Sequence, residues 1–204
     1  MDGDHYFSAD PAAADERRTL AVTLAGRDVE VTTAPGVFSG HRLDLGTRVL
    51  LRYVPEPPTS GDLLDLGCGW GPIALTMAML SPEATVWAVD VNERALDLVR
   101  RNASRLGLGG VRAVRPDDVP AGVRFAALWS NPPIRVGKAA LHEMLLRWLT
   151  RLDAGARAHL VVQRNLGADS LAAWLDRQLA PELTTMRLGS AKGYRVLSTT
   201  RHAV

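Results

Sequence analysis

The chain of 204 residues is long enough for a domain with a substantial core, and its 24 basic and 22 acidic residues leave a net charge of +2. Hydrophobic residues make up 47% of the chain and charged residues 23%, which excludes intrinsic disorder as the main interpretation. A single cysteine, Cys68, excludes a disulfide-stapled secreted scaffold, so we expect a cytoplasmic protein. We expect no membrane partner, because no apolar run is long enough to cross a bilayer and the acidic N-terminus lacks the apolar core of a signal peptide.

Residues 1–54 are predicted to form an N-terminal extension that packs on the core, so that the chain makes one structural domain overall. Apolar and polar residues alternate over 20–24 and 27–31, and the two residues between them are typical of a β-hairpin turn. A glycine-bounded loop follows. Apolar residues at helical intervals then predict a short helix over 43–53.

Residues 55–204 form the predicted core, in which short apolar runs alternate with amphipathic stretches. The apolar runs predict strands over 63–66, 86–89, 111–114, 125–129 and 158–162 and a closing antiparallel pair over 183–188 and 195–199. The amphipathic stretches predict helices over 72–80, 93–106, 139–152 and 170–179. This alternation predicts an α/β fold, with a mostly parallel sheet of seven strands, an antiparallel C-terminal strand and helices on both faces.

A glycine-rich turn joins the first core strand to the first core helix. It runs from Asp65 through Gly67, Gly69 and Gly71 to Pro72. Glycines at such a turn let a nucleotide-like ligand approach the backbone at the carboxyl edge of the sheet. The spacing differs from the dinucleotide fingerprint, and an acid beside the turn would repel a pyrophosphate. Asp65 is suited instead to an ammonium group, such as that of S-adenosylmethionine.

Acidic residues follow the next two predicted strands. Asp90 ends the second core strand, where a carboxylate can accept hydrogen bonds from both ribose hydroxyls, and Asn92 is near enough to help. Asp117 follows the third strand, where a carboxylate can accept from an adenine amino group. Each acid alone is an ordinary loop aspartate, but together with the glycine turn they indicate a cofactor site.

The fourth core strand is followed by Asn131, Pro132 and Pro133. Two consecutive prolines donate no backbone hydrogen bond and hold the chain extended. The Asn131 side-chain oxygen and the Pro132 carbonyl can then act as fixed acceptors for an exocyclic amine. Transfer of a methyl group from a sulfonium to such an amine needs no strong base, and positioning supplies most of the rate.

Together these segments resemble the class I S-adenosylmethionine-dependent methyltransferases, which have a Rossmann-like core. Within that class the chain is similar to the methyltransferase small domain family, which includes ribosomal RNA guanine-N2 methyltransferases of the small subunit. The likeness covers nearly the whole chain and extends to residues 5–8, 36–39 and 192–196.

The resemblance implies S-adenosylmethionine as the cofactor and a role for each motif residue. The implied cofactor-binding residues are Asp65, Gly67, Gly69, Gly71, Asp90, Asn92, Asp117 and Asn131. The implied catalytic residues are Asn131 and Pro132, which orient the target amine. The implied substrate-binding residues are Phe38, Pro133, Ile134, Arg135 and Tyr194. No metal is expected, because the histidines and Cys68 lack metal-ligand spacing.

Two departures from the family pattern concern the substrate. Many N-methyltransferases place an aromatic residue after the two prolines, where this chain has Ile134, so stacking on the base would fall to Phe38 or Tyr194. Guanine-N2 members typically carry a second, degenerate copy of the domain ahead of the catalytic one. Only about 60 residues precede the core here, so RNA docking is either reduced or supplied by a homodimer.

The predicted function is methylation of an exocyclic amine of ribosomal RNA, foremost guanine N2, by a monomer or homodimer that acts on the RNA or on the small ribosomal subunit. Two other amines remain open as substrates, adenine N6 and the side chain of a protein glutamine. A non-catalytic, cofactor-binding module for ribosome assembly is the alternative from another class, although such a module would not need Asn131. A nicotinamide-dependent oxidoreductase is disfavoured by the spacing of the glycines.

Overall fold

The structure is a computed structural model that describes residues 16–203. The similarity noted at residues 5–8 lies outside this range. A separate hairpin of β1 (Arg18–Leu24) and β2 (Arg27–Thr33) precedes the core, in confirmation of the predicted hairpin. Its two turn residues have positive φ angles of 49° and 73°, which match the right-handed twist of a tight hairpin.

The remaining strands form one seven-stranded sheet in the order β5-β4-β3-β6-β7-β9-β8. Its strands are β3 (Asp62–Leu66), β4 (Thr85–Val89), β5 (Val111–Val114), β6 (Phe125–Ser130), β7 (Leu152–Gln163), β8 (Leu183–Ala191) and β9 (Tyr194–Arg201). The first five of these pair in parallel, and β9 runs antiparallel to both β7 and β8. The predicted fold class is therefore confirmed.

In residues 16–203, five α-helices cover the two faces of the sheet. They are α1 (Leu45–Tyr53), α2 (Pro72–Leu80), α3 (Glu93–Arg105), α4 (Lys138–Leu149) and α5 (Ala168–Leu179). On β3, Leu63 packs with residues of α1, α2 and α3, whereas its neighbour Leu64 packs with residues of α4 and α5. Successive side chains of a strand point to opposite faces, so this one strand contributes to both halves of the core. Within residues 16–203, no helix is both long and apolar enough to span a membrane.

The predicted boundary between α4 and β7 was wrong. The helix ends at Leu149 rather than 152, and the strand begins at Leu152 rather than 158. The hydroxyl of Thr150 donates to the carbonyl of Leu146, which satisfies a free carbonyl of the last turn. The first half of β7 contains Gly155 and no β-branched residue, so its strand conformation comes from pairing with β6 rather than from local propensity.

Helix α1 begins two residues later than predicted. Asp44 is its N-cap, because its Oδ2 accepts a hydrogen bond of 3.0 Å from the backbone nitrogen of Thr47. The capping places the Asp44 side chain at the carboxyl edge of the sheet, where it also contacts the turn after β6.

His159 on β7 is expected to make the fold sensitive to acid. The residue is 3% exposed, and its Nδ1 has no hydrogen-bond partner in the described part of the chain. Burial and, to a lesser degree, the charge of Arg157 lower its pKa to about 4. The neutral imidazole is thus favoured by folding, and stability is lost as pH falls from the unfolded pKa near 6.5 toward the folded one. We expect the free energy of unfolding to fall by about 2 kcal/mol between pH 7 and pH 5 because of this group. Urea denaturation of the wild type and of His159→Met at both pH values measures the difference, and parallel pH profiles would contradict it.

Candidate active site

A cleft of about 720 Å³ lies at the carboxyl ends of β3, β4 and β6. Its walls come from the glycine turn after β3, the acid after β4, the turn after β6 and the loop before α1. This position is where open parallel sheets bind their ligands. The loop before α1 contributes Phe38 and Asp44 to the cleft, so residues ahead of β3 help to form the site.

The glycine turn is closed by hydrogen bonds of its own. Four of its backbone N–H groups already have acceptors within the chain, those of Gly67, Cys68, Gly69 and Gly71. The first two donate to the carbonyl of Val89 at 2.8 and 3.1 Å. These four groups cannot cradle a phosphate without breaking existing bonds. The geometry therefore agrees with the prediction that the turn does not bind a pyrophosphate.

Gly67 and Gly69 line the cleft, whereas Gly71 does not. Gly71 has a φ angle of 95°, and a Cβ added there would lie 3.0 Å from Cγ2 of Val99 on α3. Its role is thus the close packing of the turn on α3. The predicted contact of Gly71 with the cofactor stays a prediction.

Asp65 is fully buried rather than placed in the cleft wall. Its Oδ2 accepts a hydrogen bond of 2.9 Å from the backbone nitrogen of Ala74, which joins β3 to the first turn of α2. Its Oδ1 is buried and has no hydrogen-bond partner within residues 16–203. Burial, aided by the charge of Asp90, raises the pKa of this carboxyl to about 8. The predicted contact with an ammonium group stays a prediction.

Asp90 lies in the cleft wall, where the prediction expected it. Its Oδ2 accepts from the Gly69 nitrogen at 3.0 Å and its Oδ1 from the Asn92 nitrogen at 2.9 Å. Burial raises the pKa of this carboxyl, and the backbone hydrogen bonds oppose the shift. Each oxygen keeps a further lone pair, so the carboxylate can still accept from two neighbouring hydroxyls.

The side chain of Asn92 is used within the fold. It is 1% exposed, its Oδ1 accepts from the Arg94 nitrogen at 3.0 Å as the N-cap of α3, and its Nδ2 donates to the Gly36 carbonyl at 3.1 Å. Both polar ends are thereby occupied. Asn92 lines the cleft and anchors the loop that carries Phe38, and its predicted help in cofactor binding stays a prediction.

Asp117 does not line the cleft. Its side chain is 88% exposed and accepts a hydrogen bond of 2.8 Å from Arg147. Its neighbour Pro116 is in the wall instead, together with Val91 and Met144. Beside the position predicted for a carboxylate, the cleft thus has apolar lining. Met144 and Arg147 lie on α4, and no sequence motif marked them.

The turn after β6 places Asn131 and Pro132 in the cleft as predicted. The Asn131 Nδ2 donates to Asp44 Oδ2 at 2.8 Å and to Thr47 Oγ1 at 3.1 Å. The Pro132 carbonyl already accepts from the Ile134 nitrogen at 2.9 Å, which leaves it one lone pair. Of these two acceptors, the amide oxygen of Asn131 therefore has more lone pairs left for a ligand.

All of the predicted substrate-binding residues line the same cleft. They are Phe38, Pro133, Ile134, Arg135 and Tyr194. Phe38 is 46% exposed, an unusual position for a large apolar ring. Burial raises the pKa of Tyr194, and nearby Asp44 adds to the shift. The structure thus brings together residues that are more than 150 positions apart in the chain.

The sheet order, the glycine turn at β3 and the asparagine–proline–proline turn at β6 define a class I methyltransferase fold. More particularly, the chain belongs to the methyltransferase small domain family, whose model matches residues 28–198. The predicted family is therefore confirmed.

Similar proteins cover nearly all of this chain. The YbxB protein of Bacillus subtilis is 34% identical over 197 residues, which are 95% of this chain and 96% of that protein. Ribosomal RNA small subunit methyltransferase C of Pseudomonas paraeruginosa is 32% identical over 199 residues, 95% of this chain but 57% of that protein. The chain therefore spans little more than half the length of that enzyme.

A solved structure shows the same fold. It is a 16S ribosomal RNA guanine-N2 methyltransferase of Thermus thermophilus in complex with S-adenosylmethionine and guanosine. The TM-score is 0.78 at 23% identity, over 94% of this chain and 52% of that one.

Proposed function

We propose that this protein transfers a methyl group from S-adenosylmethionine to an exocyclic amine of a ribosomal RNA base, namely guanine N2 in small-subunit RNA. The observation that carries the proposal is the Asn131 amide, which is anchored through its nitrogen and offers its oxygen beside Pro132 in the cleft. An acceptor fixed in this way suits an N–H of an amine. The similarity to ribosomal RNA small subunit methyltransferase C supports RNA as the substrate.

The cleft fits S-adenosylmethionine better than a dinucleotide. The apolar end formed by Val91, Pro116 and Met144 suits the adenine ring, and the Asp90 carboxylate suits the ribose hydroxyls. The N–H groups of the glycine turn already donate hydrogen bonds within the chain, so they are not available to bind the phosphates of a dinucleotide. When bound, the cofactor supplies an electrophilic methyl group on a sulfonium.

The side chains of the protein then act by positioning. Asn131 Oδ1 accepts one N–H of the target amine, and the remaining lone pair of the Pro132 carbonyl is available for a second. The nitrogen lone pair of the amine is directed toward the methyl carbon, and the surplus proton leaves to water after transfer. Such alignment of two reactants is sufficient for a large rate enhancement.

Arginines at the mouth of the cleft are suited to the RNA backbone. Arg42 and Arg135 are exposed and line the cleft, and neither guanidinium has a partner within residues 16–203. A guanidinium fork of this kind matches a phosphate. Arg195, by contrast, pairs with Asp169 and is less available. An RNA substrate also agrees with the predicted cytoplasmic location, and the oligomeric state stays a prediction.

The test is methyl transfer to defined substrates. Purified protein and labelled S-adenosylmethionine are incubated with naked small-subunit RNA, with assembled small subunits from cells that lack the gene, and with total protein. Mass spectrometry of the digested nucleosides should show N2-methylguanosine. N6-methyladenosine or methylglutamine as the sole product would replace guanine as the substrate. Cofactor binding without any methylated product would support the non-catalytic module instead.

Asp90→Ala is expected to weaken binding of S-adenosylmethionine by roughly 1.5–3 kcal/mol, the usual contribution of a hydrogen bond to a charged group. The reason is that the Asp90 carboxyl lies in the cleft wall and each of its oxygens keeps a lone pair for a ribose hydroxyl. Calorimetry measures the affinity, with Asp28→Ala on the exposed hairpin as the control. Nicotinamide dinucleotides should bind no better than background. Unchanged affinity in a folded Asp90→Ala protein would contradict the assignment.

A further inference from the structure

Two acceptors take up both hydrogens of the Asn131 amide. Asp44 Oδ2 lies 2.8 Å from Nδ2 and Thr47 Oγ1 lies 3.1 Å from it. A side-chain amide has two ends of almost equal shape, one a donor and the other an acceptor. Whichever end is held by Asp44 and Thr47, the opposite one faces the cleft. The contacts to α1 therefore decide what the cleft offers to an amine.

We propose that Asp44 is a positioning residue, which sets the orientation of the Asn131 amide so that its oxygen faces the target amine. The inference rests on the proposed function, since only an amine substrate needs an acceptor at this point. Asp44 touches neither the reacting nitrogen nor the methyl carbon in this role. It acts through Asn131.

Asp44 and Thr47 differ in what they can enforce. An ionised carboxylate only accepts hydrogen bonds, so a reversed amide would place Asn131 Oδ1 against Asp44 Oδ2, with two acceptors 2.8 Å apart. A hydroxyl donates as readily as it accepts, so Thr47 is able to bind either end. Asp44 therefore selects the orientation, whereas Thr47 adds a second bond to the orientation that Asp44 has selected.

The position of Asp44 is itself held by the first turn of α1. The same Oδ2 accepts from the Thr47 nitrogen at 3.0 Å, and a Cβ added at Gly46 would lie 2.9 Å from this oxygen. That Cβ would also lie 2.9 Å from Cε1 of Tyr194 and 3.3 Å from Nδ2 of Asn131. A side chain at position 46 would thus collide with groups of all three residues, because the start of α1, the Asn131 amide and the Tyr194 ring meet there. This junction explains why the loop and helix before the core belong to the site.

The capping bond allows variants that separate the two roles of Asp44. Asp44→Ser keeps a hydroxyl that is able to cap α1, but the shorter side chain does not reach Asn131. Asp44→Asn keeps an oxygen, and the Thr47 nitrogen draws that oxygen into the place of Oδ2, where it still accepts from Asn131. Serine should therefore free the amide to reverse, and asparagine should hold it.

The experiment measures methyl transfer and the amide itself. We expect Asp44→Ser to lower kcat by roughly 10- to 100-fold, the usual effect of losing a residue that orients a catalytic group, with KM for RNA nearly unchanged. Asp44→Asn should restore most of the turnover, and Thr47→Val should lower it less than Asp44→Ser does. Asp28→Ser, which removes a carboxylate of the hairpin far from the cleft, is the matched control.

NMR of the Asn131 side-chain amide in the labelled protein keeps this test separate from the proposed function. Slow hydrogen exchange of both amide protons in the wild type, and fast exchange of one or both in Asp44→Ser, would support the positioning role even if no methyl transfer to RNA were found. Equal kcat in wild type and Asp44→Ser, or unchanged amide exchange in that variant, would overturn it. A loss of kcat that Asp44→Asn does not restore would also overturn it.

Discussion

Asn131→Ala should lower methyl transfer by roughly 10²- to 10³-fold, the range found when one preorganised polar group is removed from an active site. The amide oxygen is the acceptor that the cleft presents to the target amine. Its loss removes the alignment of the nitrogen lone pair rather than the binding of the cofactor. Cofactor affinity and melting temperature should therefore stay close to those of the wild type.

Methyl transfer, calorimetric affinity and thermal unfolding are measured on the same preparations. Asn131→Asp is the informative companion variant. Its second carboxylate oxygen would replace the Nδ2 that now donates to Asp44 at 2.8 Å, so two negative groups would meet. An acceptor oxygen at position 131 is thus not sufficient for methyl transfer, and we expect Asn131→Asp to lose turnover as well. A stable Asn131→Ala protein with undiminished methyl transfer would contradict the mechanism. A protein with reduced stability and intact activity per folded molecule would assign Asn131 a structural role only.

Several parts of the site were predictable because their signals are local. The glycines of the turn after β3 and the prolines after β6 restrict the backbone by their own chemistry, and the structure places both turns at one edge of the sheet. The hairpin turn and the proline at the start of α2 are signals of the same kind. Each depends on neighbours within a few residues, which a single sequence contains.

The remaining parts depend on contacts between distant segments. Asp44 precedes Asn131 by 87 positions, and only the packing of α1 on the sheet brings them together. Asp117 has the right place in the chain for an adenine contact, but its side chain is exposed and pairs with Arg147 on α4. Asn92 lines the cleft as expected, and its side chain also caps α3 and binds the Gly36 carbonyl. In all three cases an interaction within the fold determines where the side chain lies.

Asp65→Asn is expected to stabilise the protein without its cofactor, and increasingly so as the pH rises. The carboxyl is fully buried, and its Oδ1 has no partner among the residues that the structure describes. Burial raises its pKa to about 8, so the folded state favours the protonated form. Its contribution to stability is present in full below the unfolded pKa near 4 and is lost as the pH rises toward 8. Linkage then gives a loss of roughly 3–4 kcal/mol between pH 4 and pH 7 for this one group.

Asparagine is neutral throughout this range and keeps an oxygen for the Ala74 nitrogen, the bond that ties β3 to α2. The difference in melting temperature between Asp65→Asn and the wild type should therefore widen from pH 5 to pH 8. Asp62→Asn, at the opposite end of the same strand, is the control. A constant difference across the pH range would contradict the buried, protonated carboxyl.

The same pair of proteins tests whether Asp65 also assists the cofactor. If the carboxylate stabilises an ammonium group, saturating S-adenosylmethionine should raise the melting temperature of the wild type more than that of Asp65→Asn, because ligands stabilise the form to which they bind. An equal rise in the two proteins would limit Asp65 to holding the first turn of α2. A larger rise in the wild type would mean that the bound cofactor stabilises the ionised carboxylate, whose burial lowers the stability of the free protein. The residue would then exchange stability of the free protein for cofactor affinity, which is the pattern expected of a charged group buried at a functional site.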